Sequence, residues 1–224
     1  MIKSLLYKEW LKLRYYWTVA FLINILFLAY LFIDIRHQFV FEHAEMIWYQ
    51  AFHIGNILYD KIKYLPLVIG IIIGAAQFVP EMLGNRFRLS LHLPVEPDVL
   101  VFRSVVMGIL SVGGIFLIDV FLLCYVISVF FPLEGAKSAF FTSLSWFFAG
   151  IVAYTGTALC ALEPQNFRKI VYLVLTAGFV LIFYQGDNYE SYNRIFLKPA
   201  IISFLFIPSV IFSAYRYRNR TNLA

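Results

Sequence analysis

Six stretches of this chain are too apolar to sit comfortably in water. They run from about Tyr16 to Ile33, Tyr64 to Val79, Leu100 to Phe131, Ala139 to Leu162, Ile170 to Tyr184 and Ala200 to Tyr215. A hydrocarbon layer about 30 Å thick is crossed by roughly 20 helical residues rising about 1.5 Å each. Hydrophobic residues make up 62% of the 224 and charged ones 14%. Soluble domains carry about 45–50% and about 25%, so a soluble fold would leave a surplus of apolar surface in water, where it aggregates. The fold class expected is an all-α membrane protein with six transmembrane helices. It forms a single domain over residues 1–224, since no linker or low-complexity stretch divides the chain. The third run is interrupted only by Arg103 and Asp119, and at about 48 Å of helix it exceeds the bilayer.

Charge orients these spans. Of the 18 Lys and Arg residues, six (Arg36, Lys61, Lys63, Lys137, Arg194 and Lys198) fall in loops opposite the N terminus, and the other twelve share its side. The positive-inside bias then puts both termini in the cytoplasm, at a bacterial inner membrane. The basic residues flank apolar runs and form no separate patch, so the net charge of +5 points to membrane lipid and to no nucleic acid. A cleaved signal peptide fits poorly, because the first apolar run is long and no small-x-small site follows it. Cys124 and Cys160 lie inside apolar runs without metal-ligand spacing and read as buried small hydrophobes.

Residues 1–15 carry a pattern of their own. On a helix, Ile2, Leu5, Leu6, Trp10 and Leu13 share one face, flanked by Lys3, Lys8, Lys12 and Arg14. That is the signature of an amphipathic helix at the cytoplasmic interface. Glu9 falls on its apolar face and needs a donor there. Lys8 or Lys12 can supply one, and so can a neighbouring loop or subunit. Two outer segments, Arg36–Lys63 and Gln185–Pro199, are rich in aromatic residues, which favour the headgroup level. Short surface helices are expected in both.

Within the spans, Gly70 and Gly74 form one small-residue ridge, and Ala149, Ala153, Thr157 and Ala161 form another. Such ridges let helix backbones approach closely, within a subunit or between two. Asp119 lies mid-span, where a carboxylate must be paired, protonated or wetted. It is a candidate for a translocation path. The alternative is a structural hydrogen bond to a helix backbone or to Ser143, Thr155 or Thr157.

No catalytic constellation is present. His37, His43, His53 and His92 lack metalloprotease spacing, and neither a GxSxG nor a phosphate-cradling GxxxxGK[ST] occurs. The chain reads as a non-enzyme without metal or cofactor. The segment from Pro80 to Arg103 is polar enough to leave the membrane, yet Met82, Leu83, Phe87, Leu89, Leu91 and Leu93 make it too apolar for a bare solvated turn. Such a loop calls for a protein partner.

These features together resemble the permease subunits of type-2 ABC transporters. The opening Leu5-Leu6-Tyr7-Lys8-Glu9-Trp10-Leu11-Lys12-Leu13-Arg14 is similar to that family's amphipathic helix, in which Glu9 and Trp10 are the residues of interest. Glu81, Gly84 and the run Leu89-Ser90-Leu91-His92-Leu93-Pro94-Val95 resemble its leucine-rich loop. Asn85 stands where threonine is usual, His92 interrupts the run, and Glu96 replaces the common Ser-Arg. The resemblance implies a coupling loop over residues 81–98. In it Glu81, Gly84, Asn85, Arg86, Phe87, Arg88, Leu89, Leu91 and Pro94 would dock on a separate cytoplasmic ABC ATPase. It implies two permease copies and two ATPases per transporter, with ATP and Mg on the ATPases and export as the direction. A haem-handling or other maturation-type permease, and a non-transporting membrane assembly factor, remain open alternatives. The cargo is not legible, since aromatic outer loops suit lipids, peptides and hydrophobic drugs alike.

Overall fold

A computed structural model describes residues 2–41, 43–83, 97–185 and 197–221. All regular structure among them is helical: α1 (Ile2–Phe41), α2 (Ala44–Phe52), a 3-10 turn (Asp60–Ile62), α3 (Leu65–Leu83), α4 (Pro97–Phe130), α5 (Leu133–Leu162), α6 (Asn166–Phe183) and α7 (Leu197–Thr221). Five helices, α1 and α3–α6, are long and apolar enough to cross a membrane, and a shorter apolar stretch, Ala200–Ser213, lies in α7. Each apolar run in the sequence therefore becomes a helix.

Local chemistry sets the helix ends. Pro97 opens α4, where its missing N–H costs nothing. Pro132 ends α4 and caps α5, so the two connect within two residues and run antiparallel. Pro164 similarly follows α5. Gly55, at φ 75°, supplies the left-handed turn after α2 that a side chain resists. Residues 2–15 and the first span fall in one uninterrupted helix, about 60 Å long. Nothing separates an interfacial segment from the span.

The helix α5 is the centre of the bundle. It packs on α3, α4, α6 and α7, while α1 packs on α3 and α4. Burial follows this: 67% of the most apolar window of α5 is buried inside the protein, against 11% for α6. Close packing comes from small residues of α3 and α5 meeting within one chain. Gly70 of α3 lies against the backbone carbonyl of Gly150, and Gly74 faces Thr157 and the carbonyl of Tyr154. Outward-facing positions are apolar, among them Leu22, Leu26 and Ile33 of α1 and Leu110, Leu117 and Phe121 of α4. That surface suits lipid.

The bundle has two distinct ends. At one, α2 buries Ile47 and Ala51 against α1 and α4. Phe39, Trp48, Phe52 and Phe131 cluster there, with Phe39 stacked on Phe130 at 5.3 Å. A Lys61–Asp34 ion pair of 2.7 Å ties this aromatic end together. Of the two expected outer surface helices, the first thus contains α2, and most of the second, residues 186–196, lies outside the described residues. At the opposite end, α1, α4 and α6 begin while α3, α5 and α7 finish. Charge collects there.

Candidate functional site at the charged end of the bundle

Four helices contribute to one buried polar network. On α1, Glu9, Lys12 and Leu13 are spaced i, i+3 and i+4 and so share a face. That face turns onto α3, with Leu13 fully buried and Glu9 only 6% exposed. On α3, Gln77 and Glu81 lie one turn apart and point back. Lys12 Nζ donates to Glu9 Oε1 at 2.8 Å and also to Glu81, and Lys8 stands 3.9 Å from Glu81. One half-buried ammonium thus bridges two buried carboxylates from different helices.

Gln77 extends the network into the apolar core. Its amide nitrogen donates to Glu9 Oε2 at 3.0 Å and to the Ser104 carbonyl of α4 at 2.7 Å. Its amide oxygen accepts from the Tyr154 hydroxyl of α5 at 2.8 Å. Both N–H donors and the acceptor of a side chain with no exposed surface are therefore used. Gly108 makes room for this meeting, since a Cβ there would collide with the Tyr154 hydroxyl and the Gln77 amide oxygen. In a medium of low dielectric, satisfied networks rigidify a unique packing, whereas partly broken ones are costly.

The residues singled out in the sequence divide into four groups. Glu9 and Glu81 are brought together by Lys12, so the donor for Glu9 comes both from its own helix and from α3. Trp10 takes no part in the network; it is 37% exposed and leans on Trp17 at 5.9 Å between ring centres. Gly84, Asn85, Arg86, Phe87, Arg88, Leu89, Leu91 and Pro94 lie outside the described residues. The fourth group is Asp119 alone. It is 7% exposed and faces α1 and α5 across a cavity of about 10 Å³ lined by Asn24, Ser143 and Trp146. Its Oδ1 has no hydrogen-bond partner among the described residues, nor does the Asn24 Oδ1. Ser143, Thr155 and Thr157 donate instead to carbonyls of their own helix. Asp119→Asn is accordingly expected to preserve folding, with a thermal midpoint in detergent within about 2 °C of wild type, corresponding to less than about 1 kcal/mol. A loss of several kcal/mol would mean the carboxylate holds the helices together.

Sequence reading missed Gln77, Tyr154 and the Ser104 carbonyl. Gln77 did carry a signal, as the lone amide in the apolar run of α3. Tyr154 carried none, because its hydroxyl is distinguished only by what it meets. Also missed was a second ionic cluster around Glu163, at the end of α5. Comparison with protein-family models, with curated proteins and with solved structures found no match.

Proposed function

We propose that this chain is the permease subunit of an ATP-driven type-2 ABC transporter, an exporter that alternates between inward- and outward-open states as a homodimer with two ATPase subunits. In this reading it has six spans and both termini in the cytoplasm of a bacterial inner membrane. The 25 residues of α7, about 37 Å of helix, are long enough to serve as the sixth span.

The observation that carries the proposal is the position of the polar network. Residues 84–96 link the end of α3, two residues past Glu81, to the start of α4 at Pro97, about two turns before Ser104. Both loop-flanking helices are tied to α1 through Lys12, Glu9 and Gln77. A push on the loop by a docked ATPase would reach α1, α3, α4 and α5 together. Such transmission requires elements joined by rigid contacts, and a network spanning four helices provides them. Asp119, shielded in the bundle, is the residue assigned to the translocation path.

The test is affinity purification of the tagged chain from native membranes. An ABC ATPase should copurify and hydrolyse ATP in the complex. Phe87→Ala and Gly84→Pro should insert normally and retain the ATPase while transport falls at least tenfold. If no ATPase copurifies, or if both variants transport at the wild-type rate, the proposal is wrong.

A further inference from the structure

We infer that the cleft between α6 and α7 binds an anionic phospholipid, with its phosphate held by Arg168 and Arg216 and an acyl chain lying along the cleft. The inference concerns a surface the transporter reading does not use. It stands or falls separately from that reading.

The cleft has a volume of about 300 Å³, and Leu159, Tyr172, Leu175, Phe179, Leu205 and Ser209 are among the residues that line it. Its walls are almost wholly apolar. It opens sideways between helices whose flanking positions, such as Leu175 and Leu205, are 48% and 70% exposed. In a membrane those positions meet acyl chains, so a chain is the natural filling. A soluble ligand would have to cross lipid to reach it.

Helical periodicity places a charged group beyond the cleft on each of its three walls. One turn past Leu159 on α5 stands Glu163, and one turn before Tyr172 on α6 stands Arg168. Two turns past Ser209 on α7 stands Arg216. Because α6 runs antiparallel to the other two, all three charges gather at the charged end of the bundle, where headgroups lie. Arg216 Nη1 donates to the Tyr172 hydroxyl at 2.7 Å, joining the charged site to the wall of the cleft.

The arrangement of charge is the second, independent observation. Glu163 is fully buried, and its Oε2 accepts from Ser213 at 3.1 Å. Arg168 and Arg216 approach it only to 4.0 and 3.8 Å, too far for a hydrogen bond. Its Oε1 has no hydrogen-bond partner among the described residues. Two guanidinium groups, 47% and 43% exposed, thus oppose one carboxylate. Each guanidinium carries five donors in a planar fork suited to phosphate. Basic pockets between helices at the headgroup level recognise anionic lipids in this way. Glu163 positions both arginines without consuming their donors, which leaves one net positive charge for a phosphodiester.

Native mass spectrometry of the detergent-purified protein tests this, with phosphatidylglycerol and phosphatidylcholine of identical acyl chains titrated separately. Wild type should retain phosphatidylglycerol at least tenfold more strongly. Arg168→Gln, at an exposed position, should lower that retention severalfold. The triple variant Glu163→Gln/Arg168→Gln/Arg216→Gln, which leaves the site uncharged, should bring it to the phosphatidylcholine level. Leu205→Trp, which fills the cleft from an exposed position, should weaken both lipids. Equal retention of the two lipids by wild type overturns the inference, whether or not the triple variant folds. An unchanged preference in Arg168→Gln overturns it as well.

Discussion

Lys12→Met is expected to destabilise the bundle by about 3–5 kcal/mol, the usual cost of leaving a buried charge without its partner. Lys12 is the ammonium that touches both Glu9 and Glu81, each only 6% exposed. Lys8 reaches Glu81 only at 3.9 Å from a half-exposed position, so Lys8→Met should cost about 0–1 kcal/mol. The charge-neutral triple variant Lys12→Met/Glu9→Gln/Glu81→Gln should recover most of the loss, because neutral amides are far cheaper to bury than unpaired carboxylates. Unfolding can be followed in detergent with a thiol-reactive dye, since Cys124 and Cys160 are free and partly buried. A Lys12→Met protein that melts like wild type would show that the network does not hold α1 to α3.

Gly70→Ala should also be damaging, for a different reason. The added methyl would meet the backbone carbonyl of Gly150, with the carbonyl carbon at 3.0 Å and the Tyr154 nitrogen at 3.2 Å. Backbone cannot swing aside as a side-chain tip can. The helices α3 and α5 must separate, at about 1–3 kcal/mol or somewhat more for overpacking, and every contact of the central helix is disturbed. Gly113→Ala provides the control. A Cβ there meets nothing within 4 Å, so the change should stabilise by about 0.5–1 kcal/mol through helix propensity. Both are small-residue sites in apolar helices, and opposite signs are expected. If both variants melt alike, the close approach of α3 to α5 is not what packs the bundle.

Asp119 and the polar network differ in how each could be found. The penalty for a carboxylate mid-span is visible in one dimension, so its burial could be expected from Gly113-Gly114…Asp119 alone. The pairing of Glu9 with Lys12 was also open to a reader, since i, i+3 spacing is local. Gln77 and Tyr154 are 77 residues apart and meet only because α3 and α5 cross at Gly70 and Gly150. Helix crossing is fixed by which small residues face each other, and many pairings satisfy the same pattern.

The sequence by itself determined the helices. Each apolar run became one, and Pro97, Pro132 and Pro164 marked boundaries, because hydropathy and backbone geometry act over neighbouring residues. It determined as well that the chain is all-α and suited to a membrane. Tertiary structure decided the order of burial, with α5 central and α6 peripheral, although both are comparably apolar. It made residues 2–15 continuous with the first span, and it turned Glu9 from an awkward residue on an apolar face into one anchor of a four-helix network. It also gathered Glu163, Arg168 and Arg216 at the mouth of one cleft. The physical reason is common to all of these. Propensity and hydropathy are sums over adjacent residues, whereas a buried charge is stabilised only by whichever partner the fold brings within reach.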